Sequence, residues 1–343
     1  MYALNKLMFP LLLISFLPLL AFAQEKQDAK PEPDEFSSQL EKFTQRKVGN
    51  QRVVLKYKFK KGDVLRWQHD HRTAVETRFG GDSEKTATRA RPDYQWTVKN
   101  IDSRGNIRFD IEMQRIKILE QQGEADPVFY DSQKHKKAPD SCVIYQDRLG
   151  RVCSTYSISS DGVVVESKSH YGKVKLGGVG DNPVIAFPKK AIGVGHKWDV
   201  NSMVRSKDQY GAAQQVKLRV RYVLEKIVDG KAHISFATEV LTPQVDETVR
   251  SQIVTHMTRG FLVFDIARGM LTHRELRWDE RIIGYQGPES YMHYTAFRTE
   301  KLAPEKVAVA KKGLPPVAKV AKVQKPVSAK PQQTHTLLKP LGK

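Results

Sequence analysis

Two histidines stand two residues apart in an alternating stretch of the chain, and a His-x-His pair on a strand can bind zinc or copper. Because residues two apart in a strand point to the same side, one face of this strand would carry Leu65, Trp67, His69, His71, Thr73 and Val75. A metal site needs a third ligand, and no spacing ties any other histidine to this pair. The pattern therefore favours a half-buried or groove-lining pair over a metal centre, and such a pair would make a cavity pH-sensitive.

All four tryptophans also stand in strand-like alternation: Trp67, Trp96, Trp198 and Trp278. Core packing is the first interpretation of each, since large aromatic rings bury much apolar surface. If the sheet is concave and open, some of the rings would line its cavity instead. The candidate ligand-binding residues are then Trp67, His69, His71, Trp96 and Trp198.

The sequence lacks a Walker loop, a dinucleotide fingerprint, a nucleophile elbow and an HExxH helix. Its carboxylates form no obvious pair: Asp110 and Glu112 lie on the same side as Arg108, which is typical of a solvated strand surface. We therefore predict no catalytic residue, no bound metal and no cofactor. An exported hydrolase with an unrecognised active site is the alternative.

Residues 1–23 have the pattern of a signal peptide. Lys6 precedes an uncharged apolar run that ends in Ala-Phe-Ala before Gln24, as at a signal-peptidase site. An uncleaved anchor is the alternative, although the run is short for a helix that spans a bilayer. Because no later segment approaches about 18 apolar residues, we predict a mature chain without a transmembrane span, in the periplasm or outside the cell, as part of the envelope.

The two cysteines, Cys142 and Cys153, flank a stretch that can turn back at Gly150. An exported chain meets an oxidising compartment, where an intramolecular disulfide is chemically available. A bridge over so short a loop would stabilise the fold by up to roughly 3 kcal/mol in the chain-entropy model. Two buried free thiols are the alternative.

Most of the mature chain has the pattern of antiparallel sheet. Apolar residues recur at every second position, first in a strand-like run at Leu55, Tyr57 and Phe59 and later from Val216 to Leu224, with charged residues between them. Such alternation buries one face of a sheet and leaves the other in water.

Two helices are predicted within the sheet region. One covers Glu247–Arg259, with Gly260 at the position of a C-terminal cap. A shorter one lies around Asp140–Gly150.

The two halves of this region, about residues 50–175 and 185–300, look like diverged copies. Gly62–Trp67 and Gly195–Trp198 each lead from a glycine into a tryptophan, and the hairpin that starts at Tyr94 aligns with one that starts at Arg221. The shared order of strand, hairpin, helix and hairpin favours two copies paired into one sheet. Chance similarity between alternating strands is the alternative.

At these positions the chain resembles a family of uncharacterised exported bacterial proteins. The family's hallmarks stand here as Tyr57–Asp63 (YKFKKGD), as Pro188 with Val194–Trp198 (VGHKW), and as Gly260–Asp265 (GFLVFD), and the match covers about residues 50–300. His196 departs from the family pattern, which usually has an acidic residue there. The resemblance implies structural motifs without an assigned activity. By looser analogy such folds look like the open half-barrels of lipoprotein carriers, which hold lipid in a concave sheet.

We therefore predict a mainly β domain over residues 50–300, with α+β as a possibility: an antiparallel open barrel or half-barrel of two repeats with one or two short helices. A disordered lead-in at 24–34 and a short amphipathic helix and linker at 35–49 precede it, and a disordered tail at 301–343 follows. The predicted function is non-enzymatic: binding of a lipid or another apolar or amphipathic ligand in a sheet cavity, attachment to anionic envelope polymers through the tail, or both. A purely structural envelope protein is a further alternative, and nucleic acid is an unexpected partner for an exported chain.

Charge is concentrated in the C-terminal tail, where ten lysines and one glutamate give +9 of the chain's formal net charge of +19. Recurrent prolines and the absence of aromatic residues predict an extended, disordered arm. Its candidate polyanion-binding residues are Lys311, Lys312, Lys319, Lys322, Lys325 and Lys330. Lysines act as point charges, so the arm would recognise anionic density rather than a shape. A spacer without a partner is the alternative.

Deleting residues 302–343 should leave the thermal midpoint of the core unchanged, because a disordered arm adds no packing. The deletion should also weaken retention on an anionic polymer and flatten its salt dependence, because fewer counterions are displaced. Salt-gradient elution of both proteins from a polyanionic resin measures this. Equal elution would mean that the tail is only a spacer.

Overall fold

The structure is a computed structural model that describes residues 51–171, 182–243 and 245–304. The predicted signal peptide, lead-in and N-terminal helix lie outside these residues. The six candidate lysines of the tail also lie outside them.

Fourteen strands and two short α-helices make up the described part of the chain. The first half holds β1 (Arg52–Val53), β2 (Val64–Phe79), β3 (Asp82–Ile101), β4 (Ile107–Gln122), β5 (Val128–Asp131), α1 (Val143–Gln146), β6 (Val152–Ile158) and β7 (Val164–Ser169). The second half holds β8 (Ile192–Gly193), β9 (Lys197–Lys207), β10 (Ala213–Val228), β11 (Lys231–Val240), α2 (Glu247–Ile253), β12 (Arg259–Asp265), β13 (Met270–Ile283) and β14 (Tyr291–Leu302).

Twelve of these strands form one antiparallel sheet, and β1 and β8 pair in a second, two-stranded sheet. Across the large sheet the order is β7-β6-β4-β3-β2-β14-β13-β12-β11-β10-β9, with β5 paired to β4 off this path. No pairing among the described strands joins β7 to β9, so the sheet is not closed into a barrel. The prediction of a mainly β, antiparallel and open architecture with two short helices is confirmed.

The alternation of the sequence decides which face of each strand is buried. In β10 the residues of the inner face, all of them buried, are Val216, Leu218, Val220, Tyr222 and Leu224. Between them, Arg219 pairs with Glu239 of β11 and Arg221 pairs with Asp199 of β9 on the outer face. The inner faces together form the apolar core, and the outer face carries ion pairs in contact with water.

The strands that the sequence aligns as two copies follow one another in the same order across the sheet. From one edge to the other the sheet runs β9 to β14 and then β2 to β7. Trp67 lies opposite Tyr94, and Trp198 lies opposite Tyr222. The sequence alignment, which set Arg221 against Tyr94, is therefore one residue out of register here. The duplication itself stays a prediction.

Residues 54–60 belong to no strand, so the prediction of a strand at Leu55–Phe59 is wrong. Their alternate side chains are nevertheless buried in the core. The backbone of this segment bonds to two turns instead of a neighbouring strand: Tyr57 N donates to Ser160 O at 2.8 Å, and Lys58 N donates to Gly269 O at 3.0 Å. Alternation therefore marks burial here without sheet pairing.

Helix α2 is shorter than the predicted Glu247–Arg259. Asp246 caps it, with Oδ1 accepting from Val249 N at 2.8 Å, and a 3₁₀ turn over Val254–His256 follows it. Gly260 is not its C-terminal cap but lies within β12, where a Cβ would collide with the carbonyl oxygen of Glu275. Close approach of β13 therefore explains this glycine. The other predicted helix is present as a 3₁₀ turn over Asp140–Cys142 followed by α1.

Both cysteines are free thiols in the structure, so the possible disulfide between them is not formed in it. Cys142 is buried in a small apolar cluster with Met113 and Ile116, and Cys153 packs against the same cluster. Burial raises the pKa of both thiols, which disfavours the reactive thiolate. Because Cys142 and Cys153 adjoin the same cluster, the formation of a disulfide between them on oxidation stays a prediction.

The described part of the chain continues past the predicted domain boundary at residue 300. Leu302 packs against the main core, and Ala303 N donates to Arg66 O at 2.8 Å. A deletion that tests the tail alone should therefore begin at residue 305.

Trp67 and Trp198, predicted to be equivalent, differ in burial, and their truncation should differ in cost. Trp67 is 2% exposed and stacks on Trp96 with ring centroids 5.2 Å apart, so Trp67→Ala should destabilise by ~3–5 kcal/mol. Trp198 is only half-buried on the edge strand β9 and stacks on Tyr222, so Trp198→Ala should cost less. Urea denaturation measures both, with the exposed Phe79→Ala as control. A Trp67→Ala midpoint equal to that of the wild type would contradict this packing.

Candidate functional site

Five polar side chains meet on the inner face of the sheet where β2, β14 and β13 adjoin. Glu300 lies opposite both His69 and Arg274, and Arg298 lies opposite His71. Residues two apart on a strand share a face, so the register of the three strands puts all five on one side. These residues are called the charge cluster below.

Glu300 is the centre of the charge cluster and is only 4% exposed. Arg274 Nε donates to Glu300 Oε2 at 2.8 Å, and Arg274 Nη2 lies 2.7 Å from the same oxygen. Arg298 Nε lies 3.0 Å from Oε1, and His69 Nδ1 lies 4.0 Å from it. Arg274 Nη1 also donates to the carbonyl oxygen of Asn182 at 2.7 Å. Arg274 therefore joins the carboxylate to the loop that precedes β8.

The surroundings of the charge cluster determine which of its groups are charged. Burial lowers the pKa of His69 to about 4, with Glu300 acting in the opposite direction. Burial also lowers the pKa of His71 to about 4, and Arg298 acts in the same direction. Burial alone would raise the pKa of Glu300, but Arg274, His69 and Arg298 together lower it to about 2. At neutral pH two guanidinium groups therefore face one carboxylate and two uncharged imidazoles.

A cavity of about 400 Å³ reaches the charge cluster at Arg274. It lies between the two open edges of the sheet, since its lining includes Val164 of β7, Val200–Val204 of β9 and residues 184–186 of the intervening loop. Inner-face side chains complete the wall: Val220, Tyr222, Phe236, Leu262 and Leu276. The ionisable side chains among the described residues of this lining are those of Arg274, His256 and Tyr222. The cavity is thus a mostly apolar space with a buried guanidinium and an imidazole in its wall.

None of the five ligand-binding residues predicted from the sequence is among the residues that line this cavity. Trp67 and Trp96 are buried in the core, where Trp96 stacks on Phe109 at 5.3 Å. Trp198 is half-buried, and its Nε1 donates to Ala186 O at 3.0 Å. The two histidines belong to the charge cluster, where the ring of His69 contacts Tyr94 and that of His71 contacts Trp278. A ligand role for these five residues stays a prediction.

Sequence reasoning missed Arg274, Arg298 and Glu300, although a signal for one of them was present. Leu276 and Trp278 lie on the inner face of β13, and Arg274, two residues before Leu276, lies on the same face. A charged residue on the apolar face of a strand is rarely buried without a partner. The position of Arg274 in the alternation could therefore have identified it as a buried, paired residue. Its partner Glu300 could not be found in this way, because the pairing of β13 with β14 is a tertiary contact.

Within residues 51–171, 182–243 and 245–304, no group of three or more His, Cys, Asp or Glu side chains is placed to hold a metal ion. No helix of this part of the chain is long and apolar enough to cross a membrane.

No family model matches the chain, and no curated protein matches it in sequence. Among solved structures it is similar to lipovitellin, from a study of lipid–protein interactions, with a TM-score of 0.41 and 8% identity over 72% of this chain and 26% of that one. It thus spans about a quarter of lipovitellin. A second similar structure is DynF from the dynemicin biosynthesis pathway of Micromonospora chersina, with a TM-score of 0.20 and 5% identity over 84% of this chain and 97% of that one. The lipovitellin match is a loose fold likeness, and neither match carries a functional argument.

The buried histidines should make the protein less stable as the pH falls from about 6.5 to about 4.5. Above the ordinary histidine pKa of 6.5 both imidazoles are neutral whether the chain is folded or not. Below it the unfolded chain takes up protons that the folded chain does not, so the free energy of unfolding decreases. Glu300 adds to the loss only below its ordinary pKa of 4.5, because its folded-state pKa is lower still.

The double variant His69→Gln/His71→Gln should therefore lose stability less steeply over this interval. Urea denaturation at several pH values measures the slope, and His196→Gln, at an exposed position, is the control. Half-buried His233, whose pKa burial also lowers, contributes equally to the wild type and the double variant. An unchanged slope in the double variant would contradict the burial of the two imidazoles as neutral groups.

Proposed function

We propose that this protein is a non-enzymatic binding protein that holds an apolar or amphipathic small molecule in the cavity between the open edges of its sheet. The observation that carries the proposal is the cavity itself, an apolar space of about 400 Å³. Ligand pockets of proteins are concave, mostly apolar and roughly 300–1,000 Å³ in volume, with a few polar groups that orient the ligand. The volume and lining of this cavity both fit that description.

The openness of the sheet supports the same function. Edge strands are usually covered or paired, because their free backbone groups attract other strands. Here the two edge strands, β7 and β9, are not hydrogen-bonded to each other, and residues of both line the cavity. A ligand between them would cover apolar side chains of both edges.

The cell envelope is the proposed place of this function. The support is the sequence of residues 1–23, which has the charge, apolar run and small-residue ending of an export signal. The lysine-rich tail would add attachment to anionic envelope polymers, which its density of positive charge supports. The tail deletion, begun at residue 305, tests that attachment independently of the cavity.

Filling the cavity should weaken the binding of an apolar probe. Val164 lines the cavity, whereas its neighbour Val165 is 56% exposed and is not part of the lining. Val164→Trp should therefore weaken binding of the uncharged fluorophore 1-N-phenylnaphthylamine by about tenfold or more, because the added ring occupies the space. Val165→Trp adds the same ring outside the cavity and should leave the affinity unchanged.

Fluorescence titration measures both affinities, and circular dichroism with thermal melting confirms that both variants are folded. Saturable binding by the wild type that is unchanged in folded Val164→Trp would place the ligand elsewhere. The absence of saturable binding by the wild type would overturn the proposed function.

A further inference from the structure

We propose that the Tyr222 hydroxyl selects the ligand of the cavity by donating a hydrogen bond to an uncharged carbonyl oxygen, such as that of a ketone or an ester. This inference rests on the proposed function and adds the chemical class of the ligand's polar end. It follows from the exposure of the polar groups in the lining, the contacts of the tyrosine and the pairing of Arg274.

The polar groups that line the cavity differ in their contact with water. Their residues are Asn182, Asn201, Ser202, Tyr222, His256 and Arg274. The first three are exposed, so water meets their hydrogen bonds whether a ligand is bound or not. His256 is half-buried and already partnered. Tyr222 and Arg274 are only 6% and 5% exposed, so a ligand that expels water from the cavity changes their surroundings most.

The ring of Tyr222 is held by its neighbours, but its hydroxyl is unpartnered. The ring stacks on Trp198 with centroids 5.4 Å apart and contacts Phe236 at 5.7 Å. In the part of the chain that the structure describes, no residue hydrogen-bonds the hydroxyl. The hydroxyl oxygen is nevertheless not sealed in the core, as the indole nitrogen of Trp67 is. It therefore opens into the cavity that Tyr222 lines.

A buried tyrosine hydroxyl usually has a hydrogen-bond partner. Tyr57, which is also buried, follows this rule, because its hydroxyl accepts from Ile185 N at 3.0 Å in the loop that lines the cavity. The hydroxyl of Tyr222 leaves this place to water or to a ligand. A hydrocarbon that expels the water would leave the hydroxyl without a hydrogen bond, which is costly in an apolar space. A ligand with an oxygen at this point avoids that cost, and such differences discriminate strongly between similar ligands.

Arg274 favours an acceptor without a charge. Burial raises the pKa of Tyr222 to about 12, with nearby Arg274 acting in the opposite direction, so the hydroxyl keeps its proton at neutral pH and can donate it. A guanidinium has donors only, and this end of the cavity therefore suits an acceptor oxygen. Arg274 Nη2 already lies 2.7 Å from a carboxylate oxygen of Glu300. Because that charge has its counter-ion, an ionised headgroup would lose its hydration without gaining a new one.

Two uncharged ligands of the same shape test this inference. 2-Nonanone and 2-methylnon-1-ene differ only in the group that is double-bonded to the second carbon, an oxygen in one and a methylene in the other. Each would displace 1-N-phenylnaphthylamine from the wild type and from Tyr222→Phe, with the affinity of the probe measured separately for each protein. We expect Tyr222→Phe, which keeps the ring, to weaken binding of the ketone about fivefold or more. Binding of the alkene should be unchanged or tighter.

Tyr130→Phe is the matched control. It also removes a hydroxyl from a buried tyrosine, which is 1% exposed and is not part of the cavity lining, so both affinities should equal those of the wild type. Methyl octanoate should lose affinity in Tyr222→Phe as the ketone does. Octanoate, which carries a charge at pH 7.5, should bind the wild type more weakly than its methyl ester.

The infrared carbonyl band of bound 2-nonanone gives a second measurement that the wild type alone can provide. A hydrogen bond to the oxygen moves this band to a lower frequency than in hexane. We expect that shift in the wild-type complex and a smaller one in Tyr222→Phe.

Ketone binding that Tyr222→Phe leaves undiminished, or weakens no more than alkene binding, would overturn this inference and leave the proposed function standing. Octanoate that binds more tightly than its methyl ester would overturn the uncharged class. If Tyr222→Phe fails to fold, the infrared band of the wild-type complex decides, and a band at its hexane frequency would overturn the inference. Failure of all these ligands to displace the probe, or of the probe to bind, would instead count against the proposed function.

Discussion

The pairing of β2 with β14 is the interaction on which the rest of the structure depends. It joins the first long strand of the domain to the last one over twelve consecutive residue pairs, from Tyr291 opposite Arg78 to Leu302 opposite Trp67. Without it the large sheet would separate into two parts, one built from β2 to β7 and the other from β9 to β14. Because the side-chain period of a strand is two, a slip of one residue would turn every inner-face side chain of β14 outward. The same register sets Glu300 opposite His69, so the architecture and the charge cluster have one origin.

The charge cluster is a costly way to hold these strands together. Taking an ion pair out of water costs about as much as the pair regains, and apolar replacements of buried pairs are often neutral or stabilising. Trp67 and Leu276, on the same inner face, show that apolar side chains pack well there. The proposed binding function would account for a polar group on such a face that also borders a cavity.

Local patterns in the sequence were sufficient to predict most of the strands, but not the tertiary contacts that those strands make. The alternation of β10 and the turn between β10 and β11 are properties of neighbouring residues, so period and turn chemistry predicted both. The same alternation at Leu55–Phe59 led to a wrong prediction of a strand, because a segment that crosses the core can bury alternate side chains without pairing in a sheet. Gly260 misled for a related reason: its need for a small residue comes from β13 and not from its own helix. The candidate site was the least accessible part, because Arg274 and Glu300 meet only through the pairing of β13 with β14.

The most direct test of this account is the mass of the purified protein together with any molecule that it carries. The protein would be purified without detergent from the cells that make it and measured by native mass spectrometry, and any bound molecule would then be released by denaturation and identified. The account predicts a mass excess equal to one apolar or amphipathic small molecule, present in the wild type and lost in Val164→Trp. A wild-type protein that carries no ligand, or one whose ligand is retained in folded Val164→Trp, would contradict it.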